Sequence, residues 1–124
     1  MKSLQCTVTI GTSSGYYHNN EYTYEKFFKT LQNYLENRYD MSYDNNKYIS
    51  FVAIPSQTFY AKKYGCPESG ERTCTLQAVA NPAYVTDLDV WRDECLKYIY
   101  GIKETFKQIT ATVAFSECDV YYLK

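Results

Sequence analysis

Aromatic, basic and acidic side chains are concentrated between residues 60 and 72 of this chain. Six of them could contact a ligand: Tyr60, Lys62, Tyr64, Glu68, Glu71 and Arg72. A phenol ring can stack on a base or sugar, a guanidinium can form paired hydrogen bonds with a phosphate, and a carboxylate can accept from ribose hydroxyls. The stretch therefore favours a site for a small polar molecule, such as a nucleotide. The same residue types are normal at the solvated end of a β-hairpin, so a purely structural role is the alternative.

A second polar stretch, at residues 11–20, could hold an anion. The backbone N–H groups of this loop and the hydroxyls of Thr12, Ser13 and Ser14 are suitable donors, and the chain's one histidine, His18, lies in the same loop. The spacing matches neither of the glycine-rich phosphate-binding signatures, so a plain connection is the alternative. No serine, cysteine or carboxylate can be paired with His18 by spacing, and no catalytic triad is predicted.

The five cysteines, an odd number without a Cys-x-x-Cys pair, argue against a disulfide framework. With a single histidine they also argue against a dedicated zinc site, and we predict no metal and no cofactor. Cys6, Cys74 and Cys95 fall on apolar faces of the predicted elements, which indicates small buried side chains with free thiols. Cys66 lies in the polar stretch, but a reactive thiolate usually needs a helix N-terminus or a neighbouring cation.

The overall charge of the chain is almost balanced, with 13 basic and 14 acidic residues and a formal net charge of −1. This balance gives no electrostatic reason to expect duplex nucleic acid or an anionic membrane as a partner. No apolar run approaches the roughly 18 residues of a membrane span, and the N-terminus lacks the apolar stretch of a signal peptide. We therefore expect a cytoplasmic protein.

The periodicity of the apolar residues predicts six elements in the order strand, helix, strand, strand, helix, strand. Alternation is typical of half-buried strands, and spacings of three and four residues are typical of amphipathic helices. Thr23 is a suitable cap for the first helix, and Thr86 or Asp87 for the second. The predicted elements are strands at residues 4–10, 48–54, 73–80 and 109–115, helices at about residues 24–39 and 88–106, a turn at 116–119, and a short extension or final strand at 120–123.

This order is most simply satisfied by a ferredoxin-like βαββαβ sandwich, an α+β fold in which two helices pack on one face of an antiparallel sheet. Right-handed crossovers place both helices on the same face, and the other face stays open. For 124 residues we expect a single domain, residues 1–124. A second copy could cover the open face of so small a domain, so a homo-oligomer is predicted.

Our leading functional hypothesis is a non-catalytic binding module that captures a small polar ligand near residues 60–72 or in the loop at residues 11–20. Tyr64 and Arg72 are expected to carry much of the affinity. The alternative is a protein-interaction or inhibitor domain that contacts its partner through a tyrosine-rich surface, since the chain has fifteen tyrosines. A small enzyme ranks third, because the sequence shows no recognisable arrangement of paired acids, metal ligands or activated nucleophile.

Overall fold

The computed structural model describes residues 1–12, 23–38 and 44–124, and within these ranges the chain forms an antiparallel sheet with two helices packed on one face. The elements are β1 (Lys2–Gly11), α1 (Tyr24–Arg38), β2 (Val52–Thr58), β3 (Glu71–Val79), α2 (Leu88–Thr105) and β4 (Val113–Asp119), with short 3-10 helices at Asn45–Lys47 and Lys62–Tyr64. The strands lie in the order β2-β3-β1-β4. The predicted ferredoxin-like sandwich is confirmed.

Alternation along the central strands produces one apolar face of the sheet. Val8 of β1 lies opposite Leu76 of β3, and directly opposite side chains share a face. The helices cover this face with large side chains, among them Trp91 of α2, which is 1% exposed. Phe27 of α1 stacks on Phe106, just beyond the end of α2, with 4.1 Å between the ring centres. The hydrophobic core therefore lies between the sheet and the two helices.

Both predicted helix starts are confirmed by their capping hydrogen bonds. The Thr23 hydroxyl accepts from the N–H of Lys26 at 3.2 Å. The Asp87 carboxylate accepts from the N–H groups of Asp89 and Val90 at 3.1 and 3.2 Å. These acceptors satisfy N–H groups that the first turn of a helix leaves without intrahelical partners. No helix in the described ranges is both long and apolar enough to cross a membrane.

The bounds of all four strands differ from the predicted ones, and the largest differences are in β2 and β4, which lie at the edges of the sheet. β2 begins at Val52 rather than residue 48, and it contains Pro55 because an edge strand leaves one side of its backbone unpaired. β4 begins at Val113 rather than residue 109 and continues through residues 116–119, where a turn is predicted. Polar side chains are tolerated there because an edge strand is partly exposed. Residues 109–112 instead connect α2 to the sheet, and residues 120–123 are not a strand.

Candidate functional site

The sheet face opposite the helices carries a connected set of hydroxyl groups. The hydroxyl of Thr73 on β3 lies 2.8 Å from that of Ser56 and 3.0 Å from that of Thr58, both on β2. Thr75 of β3 continues the network, 3.1 Å from Ser56 and 3.2 Å from Thr9 of β1. Residues of one face recur at every second position of a strand, so the alternation that builds the core also places these hydroxyls together on the opposite face.

A pocket of about 500 Å³ opens on this hydroxyl-bearing face. Threonines of β1, β2 and β3 line it from the sheet, and residues 108–112, between α2 and β4, add to the lining. Tyr60, Glu71 and Gly11 also line it, and Glu71 is the only carboxylate among the described residues of the lining. The volume falls within the range of roughly 300–1,000 Å³ that is usual for small-molecule and cofactor sites.

Glu71 is positioned by a phenol on one side and a glycine on the other. The Tyr60 hydroxyl donates a hydrogen bond to Glu71 Oε1 at 2.9 Å. A Cβ atom at Gly11 would lie 3.1 Å from Glu71 Oε2 and 2.5 Å from Gln108 Oε1. Any larger residue at this position would therefore force the Gln108 side chain to move. The end of β1 thus brings a carboxylate, a phenol and an amide together at the pocket.

Of the residues predicted around the hairpin, the structure places Tyr60 and Glu71 in the pocket and Arg72 outside it. Arg72 follows Glu71 along β3, and successive side chains of a strand point to opposite faces of the sheet. The Arg72 guanidinium lies 5.3 Å from the centre of the Tyr24 ring of α1, on the helix side. Arg72 and Glu71 therefore serve opposite faces of the sheet, and their closeness in sequence does not make one site.

Three further predicted residues lie at the exposed end of the hairpin, away from the pocket. Lys62 and Glu68 form an ion pair at 2.6 Å, with both side chains largely exposed. The Tyr64 ring is 70% exposed, and the Lys63 ammonium lies 5.8 Å from its centre. None of these residues lines the pocket. Their contacts are the ones expected of a solvated hairpin end, which was the structural alternative.

The predicted anion loop is only partly within the described residues. Thr12 is fully buried, and its hydroxyl donates to the carbonyl of Arg72 at 3.2 Å, so this side chain joins the end of β1 to β3. Ser13, Ser14 and His18 lie outside the described residues.

Sequence reasoning missed Gln108 and the threonines of the pocket. The threonines have a detectable signal, because Thr7, Thr9 and Thr73 all occupy the face of their strand that does not join the core. Gln108 has no such signal, because the alternation of residues 109–115 predicts a strand directly after it. Its place at the pocket depends on how α2 ends, which the pattern of apolar residues does not report.

The described part of the pocket offers hydroxyls, a phenol, an amide and one carboxylate for chemistry. No group of three or more His, Cys, Asp or Glu side chains in residues 1–12, 23–38 and 44–124 is arranged to hold a metal ion. The Cys66 thiol is partly buried, contacts the carbonyl of Pro67 at 3.5 Å and does not line the pocket. The arrangement is therefore suited to positioning a polar ligand rather than to attacking it.

Comparison with known proteins identifies the family. The family model described as SAM lyase matches residues 1–124. The chain belongs to the SAM lyase family. Two solved structures are similar in fold. A phage SAM lyase in the apo state has a TM-score of 0.57 and 17% identity, and the match covers 97% of this chain and 87% of that one. A phage SAM lyase in complex with S-methyl-5′-thioadenosine has a TM-score of 0.54 and 16% identity, and the match covers 93% of this chain and 81% of that one. No curated protein matches the chain.

The family corrects the functional hypotheses drawn from the sequence. A non-catalytic binding module is wrong, because the SAM lyase family is a family of enzymes. The same finding argues against the alternative, an interaction or inhibitor domain. It supports the hypothesis that ranked third, a small enzyme. The small-molecule part of the hypothesis agrees with the comparisons, since one of the similar structures holds a small nucleoside.

Proposed function

We propose that this protein cleaves S-adenosylmethionine (SAM) in the pocket beside Glu71 and releases S-methyl-5′-thioadenosine. The observation that carries the proposal is the match of the SAM lyase family model to residues 1–124. Two further observations support it: the pocket has the volume of a small-molecule site, and a phage SAM lyase of similar fold was solved with methylthioadenosine. Of the residues predicted from sequence, Tyr60 and Glu71 belong to the proposed site.

The structures of SAM and methylthioadenosine define the bond that breaks. Methylthioadenosine keeps the adenosine, the sulfur and the methyl group, so cleavage falls between the sulfur and the γ-carbon of the methionine part. The sulfur takes the electron pair of that bond and loses its positive charge. A lyase does not use water, and we propose that the γ-carbon receives its new pair from the substrate's own carboxylate, which closes a five-membered ring. The second product is then homoserine lactone.

This internal displacement fits the residues that line the pocket. It needs no protein nucleophile and no general base, and the described lining contains no thiol, amine or imidazole. The attacking carboxylate and the sulfonium lose their opposite charges as they react, a change that is favoured when water is excluded. The task of the protein is to fold the substrate so that its carboxylate faces the γ-carbon.

Glu71 gives the pocket a preference for the substrate over the product. SAM carries a net positive charge through its sulfonium and ammonium groups, whereas methylthioadenosine is neutral. A carboxylate in a partly buried pocket attracts the cation more strongly than it would in water, because the effective dielectric constant is lower. Tyr60 holds this carboxylate through Oε1. Loss of the charge on the sulfur then weakens binding and favours release of methylthioadenosine.

The proposal is tested with purified protein, SAM and chromatographic measurement of methylthioadenosine. We expect Glu71→Gln to lower kcat/KM on the order of 10²-fold, because it removes the charge and keeps the shape. Tyr60→Phe removes one hydrogen bond and is expected to lower kcat/KM by less than about 10-fold. Glu68→Gln, the same change at the exposed hairpin end, is the control and should match the parent. If Glu71→Gln also matches the parent, the reaction does not occur in this pocket.

We also propose that the protein works in the cytoplasm, where thiols are kept reduced. All five cysteines are unpaired in the structure. A cytoplasmic location gives the enzyme access to the metabolite it is proposed to cleave. Fractionation of cells that produce the protein, with immunodetection, checks this, and recovery outside the cytoplasm would contradict it.

A further inference from the structure

We infer that Gln108 and Glu71 together bind the two vicinal hydroxyls of the substrate's ribose. This inference rests on the proposed function and assigns the part of SAM that each side chain contacts. It depends on three features of the structure: the way α2 ends, the orientation of the Gln108 amide, and the absence of a side chain at Gly11.

The end of α2 fixes the position of Gln108. The N–H of Lys107 donates to the carbonyl of Glu104 at 3.1 Å, and the N–H of Gln108 donates to the carbonyl of Lys103 at 2.9 Å. This pair of bonds is a Schellman motif, which requires a left-handed residue between the helix and Gln108. Lys107 takes that conformation, with φ of 54°, although glycine is the residue that adopts it without strain. The hydrogen-bonded turn at the end of α2 thus positions Gln108 in the pocket lining.

The orientation of the Gln108 amide follows from its contact with the helix end. Its Nε2 donates to the carbonyl of Phe106 at 3.1 Å. The reversed orientation would place Oε1 against that carbonyl, where two acceptors repel, so the contact assigns the two ends of the amide. The acceptor Oε1 is therefore the end that lies beside Gly11 and Glu71.

The two side chains converge on a single point above Gly11. Glu71 Oε2 and Gln108 Oε1 lie 3.1 and 2.5 Å from the position that a Cβ atom of residue 11 would occupy. Both are hydrogen-bond acceptors, so a ligand group that presents two adjacent donors matches them. Vicinal ribose hydroxyls are such a group, and a carboxylate is the side chain that commonly accepts from ribose hydroxyls in dinucleotide-binding proteins.

Other donors of the substrate match this pair less well. The adenine amino group is flanked by ring nitrogens that accept hydrogen bonds, and one of these would face an acceptor. The α-ammonium is a cation that the charge of Glu71 attracts without help from Gln108, and it is absent from methylthioadenosine, the ligand held by a phage SAM lyase of similar fold. The ribose hydroxyls are present in both molecules, and each can rotate to donate its proton, so the pair can present two donors side by side. The chemistry of the two acceptors therefore points to the sugar.

The test measures the dissociation constants of methylthioadenosine and its 2′-deoxy and 3′-deoxy analogues by calorimetry, beside SAM cleavage by the same preparations. The parent is expected to bind methylthioadenosine on the order of 10-fold more tightly than either analogue. In Gln108→Leu, the discrimination against one analogue should fall to about 2-fold or less. Gln77→Leu, the same change on the open face outside the pocket, should discriminate as the parent does. Circular dichroism confirms that each variant is folded.

Gly11→Ala provides a second, independent variant, because its methyl group displaces the Gln108 amide while leaving Gln108 in the chain. It should lose the same discrimination as Gln108→Leu. If the parent cleaves SAM but binds all three nucleosides equally, or if both variants keep the parent's discrimination, the assignment of the ribose is wrong and the proposed function stands. A parent that neither cleaves SAM nor binds methylthioadenosine overturns both.

Discussion

Glu71 and Arg72 are neighbours in sequence that work on opposite faces of the same strand. Glu71 lines the pocket with the threonines of the sheet, whereas Arg72 lies over the Tyr24 ring on the helix side. The two-residue period of a strand assigns neighbouring side chains to opposite faces. The predicted strand begins at Thr73, however, so Glu71 and Arg72 both fall outside it and this rule does not separate them. Residue types singled out Tyr60 and Glu71 as candidates, and the structure places both in the pocket lining. The start of β3 at Glu71 places Arg72 on the other face.

The cysteines give a prediction at the residue scale. Cys6, Cys74 and Cys95 are fully buried, while Cys66 and Cys118 are partly exposed. Burial also raises the pKa of Cys74 to about 11, so little reactive thiolate forms at pH 8. An aromatic disulfide reagent at pH 8 should react rapidly with two thiols in the native protein and with five after denaturation. Five rapidly reacting thiols in the native state would contradict the described burial, and fewer than five after denaturation would reveal disulfides.

At the scale of elements, Gly101 sets how closely α2 approaches α1. A Cβ atom at Gly101 would overlap the ring of Tyr34, with Tyr34 Cζ only 2.6 Å away. Tyr34 is partly buried against the core, so a methyl group at residue 101 would force its ring out of this packed position. Close packing against Tyr34 therefore explains the glycine in the interior of α2.

Gly101→Ala is expected to destabilise the protein although alanine is the better helix former by about 1 kcal/mol. Overlap with Tyr34 should lower the free energy of unfolding by a net amount of about 1–2 kcal/mol, measured by urea denaturation. In a Tyr34→Leu background the overlap is absent, and the same change should raise the free energy of unfolding by about 0.5–1 kcal/mol. An equal effect in both backgrounds would show that the two residues do not interact.

The elements could be predicted in type and order but not in their bounds. Thr23 and Asp87 marked the helix starts because capping is a local interaction. The ends of β2 and β4 depend on pairing with strands distant in sequence, and edge strands accept the proline and polar residues that resemble breaks. The error at residues 109–112 had the largest consequence, because it hid the turn that carries Gln108 to the pocket.

At the scale of the whole molecule, the face opposite the helices carries the hydroxyl network and holds the proposed site. The alternating strands predicted this open face, but they could not indicate a reaction. A protein nucleophile, a general base or a metal is the usual mark of a catalytic site. On the proposed mechanism SAM contains both the nucleophile and the leaving group, so the protein needs only to position and desolvate them. Such an enzyme leaves little catalytic signature in its sequence.

Self-association stays a prediction at this scale. β2 and β4 are edges of the described sheet, and the face bearing the threonines is not covered by either helix. A chain of this size gains buried surface by pairing such surfaces with another copy. Light scattering at micromolar concentration should therefore give the mass of an assembly of two or more chains of 14.5 kDa each. A single species of 14.5 kDa would contradict the prediction and would place the whole site within one chain.

The central claim is that the protein breaks the carbon–sulfur bond of SAM without water. It is tested most directly by incubating the purified protein with SAM in ¹⁸O-labelled water and analysing the early products by mass spectrometry. The account predicts repeated turnover to methylthioadenosine together with a lactone that carries no ¹⁸O. Homoserine labelled at its γ-hydroxyl would show attack by water on the γ-carbon, and the absence of methylthioadenosine would show that this chain does not cleave SAM at that bond. Either result would contradict the account.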